Sequence, residues 1–116
     1  MIEVTGKVEK YEKYMAHSVV DWCINYFQEI DHLYTDINLE LKVMNDCDGT
    51  CIENDDGGYD IEISINQSMR DIVATIVHEM VHVKQYITGE WQGEGEREAN
   101  SLQYKLADRI WTEDVL

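Results

Sequence analysis

The spacing of apolar residues along the chain predicts three helices. In residues 8–30 the apolar positions recur every three or four residues, which is the repeat of one helix face. A second helix is predicted over residues 68–89, because Ser68 and Asp71 form a capping pair at its start and a glycine stands at its end. Apolar residues at helical spacing predict a third helix over residues 94–111.

Between the first two helices, apolar residues alternate with polar ones, as in strands that bury one face. The alternation runs through residues 37–44 and recurs in residues 59–66. Turn-rich clusters at 45–49 and 54–58 bracket residues 50–53, which are a candidate middle strand. We therefore expect an α+β fold with a small antiparallel sheet of two or three strands, in the order helix, sheet, helix, helix.

The charge balance argues against two classes of partner. The chain carries 24 acidic residues against 9 basic ones, a formal net charge of −15. Such a surface repels phosphate backbones and anionic lipid, so we expect neither nucleic acid nor a membrane as a partner. The charge favours a basic substrate or partner, or it serves only to keep the protein in solution.

Length and the lack of sorting signals favour a single domain in the cytoplasm. The 116 residues fit one domain, 1–116. No apolar run approaches the roughly 20 residues that cross a bilayer, and the N-terminus lacks the basic start and apolar stretch of a secretory signal. Cys47 and Cys51 are close in sequence, but ordinary turn and strand roles are favoured over a disulfide or a second metal site.

Two histidines and a glutamate in the predicted second helix carry the candidate chemistry. His78 and His82 are four residues apart, so both rings lie on one helix face and can reach one cation. Glu79 is rotated by about 100° from His78 and can stand beside that cation without binding it. This is the His-Glu-x-x-His arrangement, in which two imidazoles hold zinc and the glutamate takes a proton from a metal-activated water. The alternative is a helix with two histidines that have no shared function. The apolar residues around the motif argue against that alternative.

A catalytic zinc usually takes a third protein ligand. No histidine follows His82, so the candidates are the downstream carboxylates Glu90, Glu94, Glu96 and Glu98. If the chain folds back as a helical hairpin with its turn near Glu90, a rise of about 1.5 Å per residue brings Glu98 level with His82. Glu98 is the predicted third ligand, and Glu94 and Glu96 stay open as alternatives.

Residues 77–83, followed downstream by Glu98 and an alanine, resemble the gluzincin metallopeptidases, particularly their compact single-domain, zincin-like forms. In that family a glutamate on the next helix is the third zinc ligand, and a Glu-Ala pair is common there. The resemblance covers roughly residues 59–111 and implies a zincin-like fold with a C-terminal helix after the motif helix. Two departures stand out: the connection from His82 to Glu98 is short, and Leu102 stands where larger members often carry an acid that orients a histidine.

The motif and the resemblance together predict a zinc-dependent metallopeptidase acting on a peptide or protein. One Zn²⁺ held by His78, His82 and Glu98 polarises water and the scissile carbonyl, and Glu79 is the general base. One alternative is a non-catalytic zincin-like module that binds metal or a protein partner. Small size supports that alternative, and the retention of Glu79 opposes it. Another is a peptidase dedicated to one intracellular protein.

The oxyanion formed during hydrolysis needs a donor besides the metal. Tyr86 and Tyr104 are the candidates in the sequence, and both are equally explained as packing residues.

Overall fold

The computed structural model describes residues 1–90, 93, 95–113 and 115–116. In this part of the chain the elements are strand β1 (Ile2–Gly6), helix α1 (Lys10–Tyr26), strands β2 (Ile37–Lys42), β3 (Gly49–Glu53) and β4 (Tyr59–Ser64), and helices α2 (Met69–Thr88) and α3 (Glu96–Thr112). The predicted α+β class and its three helices are confirmed.

The sheet differs from the prediction in size and in direction. It has four strands in the order β1-β2-β4-β3. The central strand pairs are parallel, and only β3 runs antiparallel to its neighbour β4. The prediction of a two- or three-stranded antiparallel sheet is therefore wrong. Parallel neighbours need a crossover connection, which α1 supplies between β1 and β2, while β3 returns the chain so that β4 can lie parallel to β2.

The ends of α1 and α2 follow from local chemistry. Helix α1 ends at Tyr26, earlier than the prediction of residue 30, because Phe27 adopts an extended conformation (φ −84°, ψ 91°). At the start of α2 the Ser68 side chain accepts a hydrogen bond from the backbone N–H of Asp71. Gly89 ends this helix in the left-handed region (φ 69°), where glycine is favoured. The predicted span of α2 is thus confirmed at both ends.

The core lies between one face of the sheet and the helices. Alternate residues of β2 and β4 point into it, and their polar neighbours form the opposite, exposed face. Helix α2 runs across this core and packs against α1, α3, β3 and β4. Around the motif, Val77, Met80, Val81 and Val83 are all 0% exposed. The motif helix is therefore held rigidly by packing on several sides.

The three cysteines are free thiols, with Cys23 buried in the core and Cys47 exposed. Among the helices of the described residues, none combines the length and the apolar character needed to cross a bilayer.

Candidate metal centre

His78 and His82 extend from one face of α2 toward the first turn of α3. Their Nε2 atoms meet the two oxygens of a single carboxylate: His78 Nε2 lies 3.0 Å from Glu96 Oε2, and His82 Nε2 lies 2.8 Å from Glu96 Oε1. One ligand atom from each of the three residues lies within 4.8 Å of the others. This donor set, two imidazoles and one carboxylate, is one that catalytic zinc sites use.

Glu98, the third ligand predicted from the sequence, faces a different direction. Its carboxylate accepts hydrogen bonds from Lys84 Nζ at 2.5 Å and from Gln85 Nε2 at 2.9 Å. Burial disfavours the Glu98 anion, but the hydrogen bonds from these two residues hold the pKa of Glu98 below its usual value. The structure therefore brings Glu96, and not Glu98, to the histidines.

The difference arises from where α3 begins. Gly95 adopts a positive φ of 77°, and the helix starts directly after it, at Glu96. Two positions along a helix correspond to a rotation of about 200°, so Glu96 and Glu98 cannot face the same point. Of the other candidates, Glu90 is exposed beyond the end of α2, and Glu94 lies outside the described residues.

Each histidine is also held through its second ring nitrogen. His78 Nδ1 lies 2.6 Å from Gln103 Oε1, and His82 Nδ1 lies 2.8 Å from Gln85 Oε1. An amide oxygen only accepts hydrogen bonds, so each Nδ1 is the donor in these contacts. Each Nε2 faces a carboxylate oxygen, which also only accepts. Such an arrangement needs positive charge between each Nε2 and its oxygen, and a divalent cation fits it.

Glu79 stands beside these donors and is only 5% exposed. Burial raises the pKa of its carboxyl group, with Glu96 adding to the effect and His78 and His82 opposing it. A Cβ built on Gly49 would lie 3.1 Å from Glu79 Oε2 and 2.8 Å from the Thr75 methyl group. The glycine therefore allows the start of β3 to approach the acid closely.

Strand β3 borders an open groove over the site, with a cavity of about 500 Å³. We call it the site groove; its lining comprises residues 49–52 of β3 together with His78, Glu79, His82, Tyr86 and Glu96. No other strand of the described residues pairs with the outer edge of β3. Burial, followed by the charge of Glu79, raises the pKa of the Cys51 thiol in this groove, so the thiol stays protonated at neutral pH.

A second cavity, of about 470 Å³, also borders His78 and Glu79 and is lined in part by residues of α2 and α3. We call it the polar cleft; its lining comprises Asp48, Gly49, Asn66, Gln67, Asp71, Thr75, His78, Glu79, Asn100, Gln103 and Tyr104. Its aspartates are not matched by any lysine or arginine among these lining residues. The polar cleft therefore presents negative charge next to the candidate centre.

The two tyrosines considered as oxyanion donors take different positions. Tyr86 lines the site groove, with its ring 5.7 Å from that of Tyr59. Tyr104 lines the polar cleft, where its hydroxyl donates a hydrogen bond of 2.7 Å to Asp71. Tyr86 is therefore the tyrosine that borders the groove containing both His82 and Glu79.

Sequence reasoning missed the two glutamines that hold the histidines. Gln85 was detectable, because a residue three positions after His82 lies on the same helix face. Gln103 was not, because its approach to His78 depends on the register of α3 against α2.

Comparisons with known proteins give no relative for this chain: no family model, no curated protein and no solved structure matches it.

Proposed function

We propose that this protein is a zinc-dependent metallopeptidase whose metal is held by His78, His82 and Glu96. The observation that carries the proposal is the convergence of both Nε2 atoms on one carboxylate, with Glu79 buried beside them. Two imidazoles and a carboxylate suit zinc and leave a coordination position open. A bound divalent cation supplies Lewis-acid activation of water and of the scissile carbonyl.

Glu79 is the general base of this proposal. Its carboxylate is adjacent in sequence to His78 but is not part of the converging donor set. The pKa of Glu79 is raised by burial, which makes the carboxylate a better proton acceptor than an exposed one. It takes a proton from the attacking water and passes it to the leaving amine, so the acid ends each cycle in its starting state.

The site groove supports a peptide as the substrate. The outer edge of β3 offers backbone N–H and C=O groups to which an extended peptide can bind as an added strand. Gly49, at the start of β3, lies close to the Glu79 carboxylate. The negative polar cleft and the net charge of −15 favour a peptide that carries positive charge.

The test is the pair of variants Glu79→Gln and Glu98→Gln, compared with the parent. Zinc content is measured after loading and dialysis, and cleavage of a mixed peptide library is followed by mass spectrometry. We expect Glu79→Gln to retain zinc and to lose about 10²–10⁴-fold in hydrolysis, the range of general-base catalysis. Glu98→Gln, whose side chain does not face the metal donors, should keep both properties.

Equal cleavage by Glu79→Gln and the parent would contradict the mechanism. A parent protein that binds zinc but cleaves no peptide would instead support a zincin-like binding module.

A further inference from the structure

Gln85 is a buried polar side chain that connects the two helices of the centre. It is 1% exposed, and its amide makes three hydrogen bonds. The oxygen accepts from His82 Nδ1 at 2.8 Å, and the nitrogen donates to the Gly95 carbonyl at 3.0 Å and to Glu98 Oε1 at 2.9 Å. A buried amide with this many partners has one orientation and one rotamer.

These partners determine the orientation of the amide and of the His82 ring beside it. The Gln85 nitrogen faces two groups that only accept, a backbone carbonyl and a carboxylate. The amide oxygen must therefore face His82 and accept from its Nδ1–H. The opposite nitrogen, Nε2, then points toward Glu96.

The same amide holds the start of α3. The Gly95 carbonyl belongs to the residue immediately before Glu96, and it also accepts from the backbone N–H of Ala99 in the first helical turn. Lys84 pairs with Glu98 at 2.5 Å, so the Glu98 carboxylate is fixed from a second direction. Gln85 thus contacts α3 on both sides of Glu96.

We propose that Gln85 is the positioning residue of the metal centre, which sets the orientation of the His82 ring and the placement of Glu96 together. This inference rests on the proposed function for its importance, because positioning matters only if a cation binds here. Its physical basis is a general one: partners that orient metal-binding side chains contribute about 10–100-fold to metal affinity.

The decisive variant is Gln85→Met, which keeps the side-chain length and removes all three hydrogen bonds. Zinc affinity is measured by competition with a chromogenic chelator, and hydrogen exchange of the first-turn amides of α3 by NMR in metal-free protein. We expect an affinity loss of about 10–100-fold and faster exchange of those amides. The matched control is Gln103→Met, which removes the partner of His78 and should leave that exchange unchanged.

A second variant keeps the proposal testable if Gln85→Met fails to fold. Gln85→Glu retains an acceptor for His82 Nδ1–H but loses both donor bonds, to Gly95 and to Glu98. We expect the first-turn amides of α3 to exchange faster with solvent than in the parent. Unchanged exchange in that variant would overturn the proposal.

The two proposals fail in different ways. A parent protein that does not bind zinc contradicts the proposed function, whereas amide exchange in the metal-free protein still tests Gln85. A parent that binds zinc, with Gln85→Met equal to it in affinity and in amide exchange, overturns the role of Gln85 alone.

Discussion

His82 Nε2 lies 2.8 Å from Glu96 Oε1, although the two residues belong to different helices and are 14 positions apart. The contact exists because the C-terminal half of α2 and the first turn of α3 face each other across a helical hairpin. The same carboxylate also reaches His78, so Glu96 supplies one oxygen to each histidine.

Replacement of Glu96 by glutamine should therefore weaken zinc binding more than any change at Glu98. We expect Glu96→Gln to lose about 100-fold or more in affinity, since a direct ligand contributes more than the 10–100-fold of an outer partner. Glu98→Gln keeps an amide oxygen that accepts from Gln85, so its affinity should stay near that of the parent. Isothermal titration calorimetry with zinc measures both affinities. A larger loss for Glu98→Gln than for Glu96→Gln would support Glu98 as the ligand.

Gly49→Ala should disturb Glu79 without touching the metal donors. The added Cβ would meet the Thr75 methyl at 2.8 Å and Glu79 Oε2 at 3.1 Å. Thr75 cannot easily rotate away, because its hydroxyl is hydrogen-bonded to Gln67 and to the Asp71 carbonyl. We expect a loss of about 1–3 kcal/mol in the free energy of unfolding, measured in urea, together with reduced hydrolysis.

The double variant Gly49→Ala with Thr75→Ser is the matched control for that prediction. Serine keeps the hydroxyl and removes the methyl group, so part of the lost stability should return. The contacts of the added Cβ with Glu79 Oε2 and with the Glu62 carbonyl at 3.2 Å remain, so hydrolysis should stay low. Full recovery of hydrolysis would show that the contact with Glu79 has no effect on the acid.

Ser68→Ala should destabilise the motif helix at its start. The Ser68 side chain accepts from the backbone N–H of Asp71 at 3.1 Å, and loss of such a cap typically costs about 1 kcal/mol. Ser101 is the control, because its hydroxyl bonds a carbonyl within α3 and alanine is favoured in a helix interior. Urea unfolding of the metal-free proteins should show a loss for Ser68→Ala and none for Ser101→Ala.

Tyr104→Phe should change how stability depends on pH. Hydrogen bonds from Tyr104, and then from Ser68, lower the pKa of Asp71. An Asp71 pKa that is lower in the folded state stabilises the protein at pH values above its pKa in the unfolded chain, about 3.9. This stabilisation is lost as the pH falls through the pKa of Asp71 in the folded state. The variant should thus be less stable than the parent at pH 7, with the difference shrinking toward pH 2.

The measurement is urea unfolding of metal-free parent and variant at several pH values between these limits. Tyr14→Phe is the control, since Tyr14 is 71% exposed. A difference between Tyr104→Phe and the parent that does not change with pH would argue against the Asp71 contact as its cause.

Patterns local to the chain were enough to predict most of the elements. The serine cap and terminal glycine of α2 acted as expected, because both work through the backbone of their own helix turn. The alternation in β2 and β4 predicted their buried faces for the same reason. The directions of the strands could not be predicted from local patterns, because β1 is short and its partner β2 follows only after helix α1.

The third metal donor shows the limit of predicting contacts from residue spacing along two helices. A hairpin of two ideal helices brings some residue near Glu98 level with His82, and the structure uses Glu96, two positions earlier. That shift depends on the positive φ of Gly95 and on the hydrogen bond from Gln85 to its carbonyl. Neither is a property of residue spacing.

The helical hairpin also affects the order in which the chain folds. The three donor side chains lie between positions 78 and 96, whereas the parallel pairing of β1 with β2 joins Ile2 to Ile37 across the whole of α1. Contacts close in sequence form faster than distant ones, because less chain entropy is lost in closing the loop. During refolding, α2 and α3 should therefore assemble a zinc-competent hairpin early, and the N-terminal strand should join the sheet last.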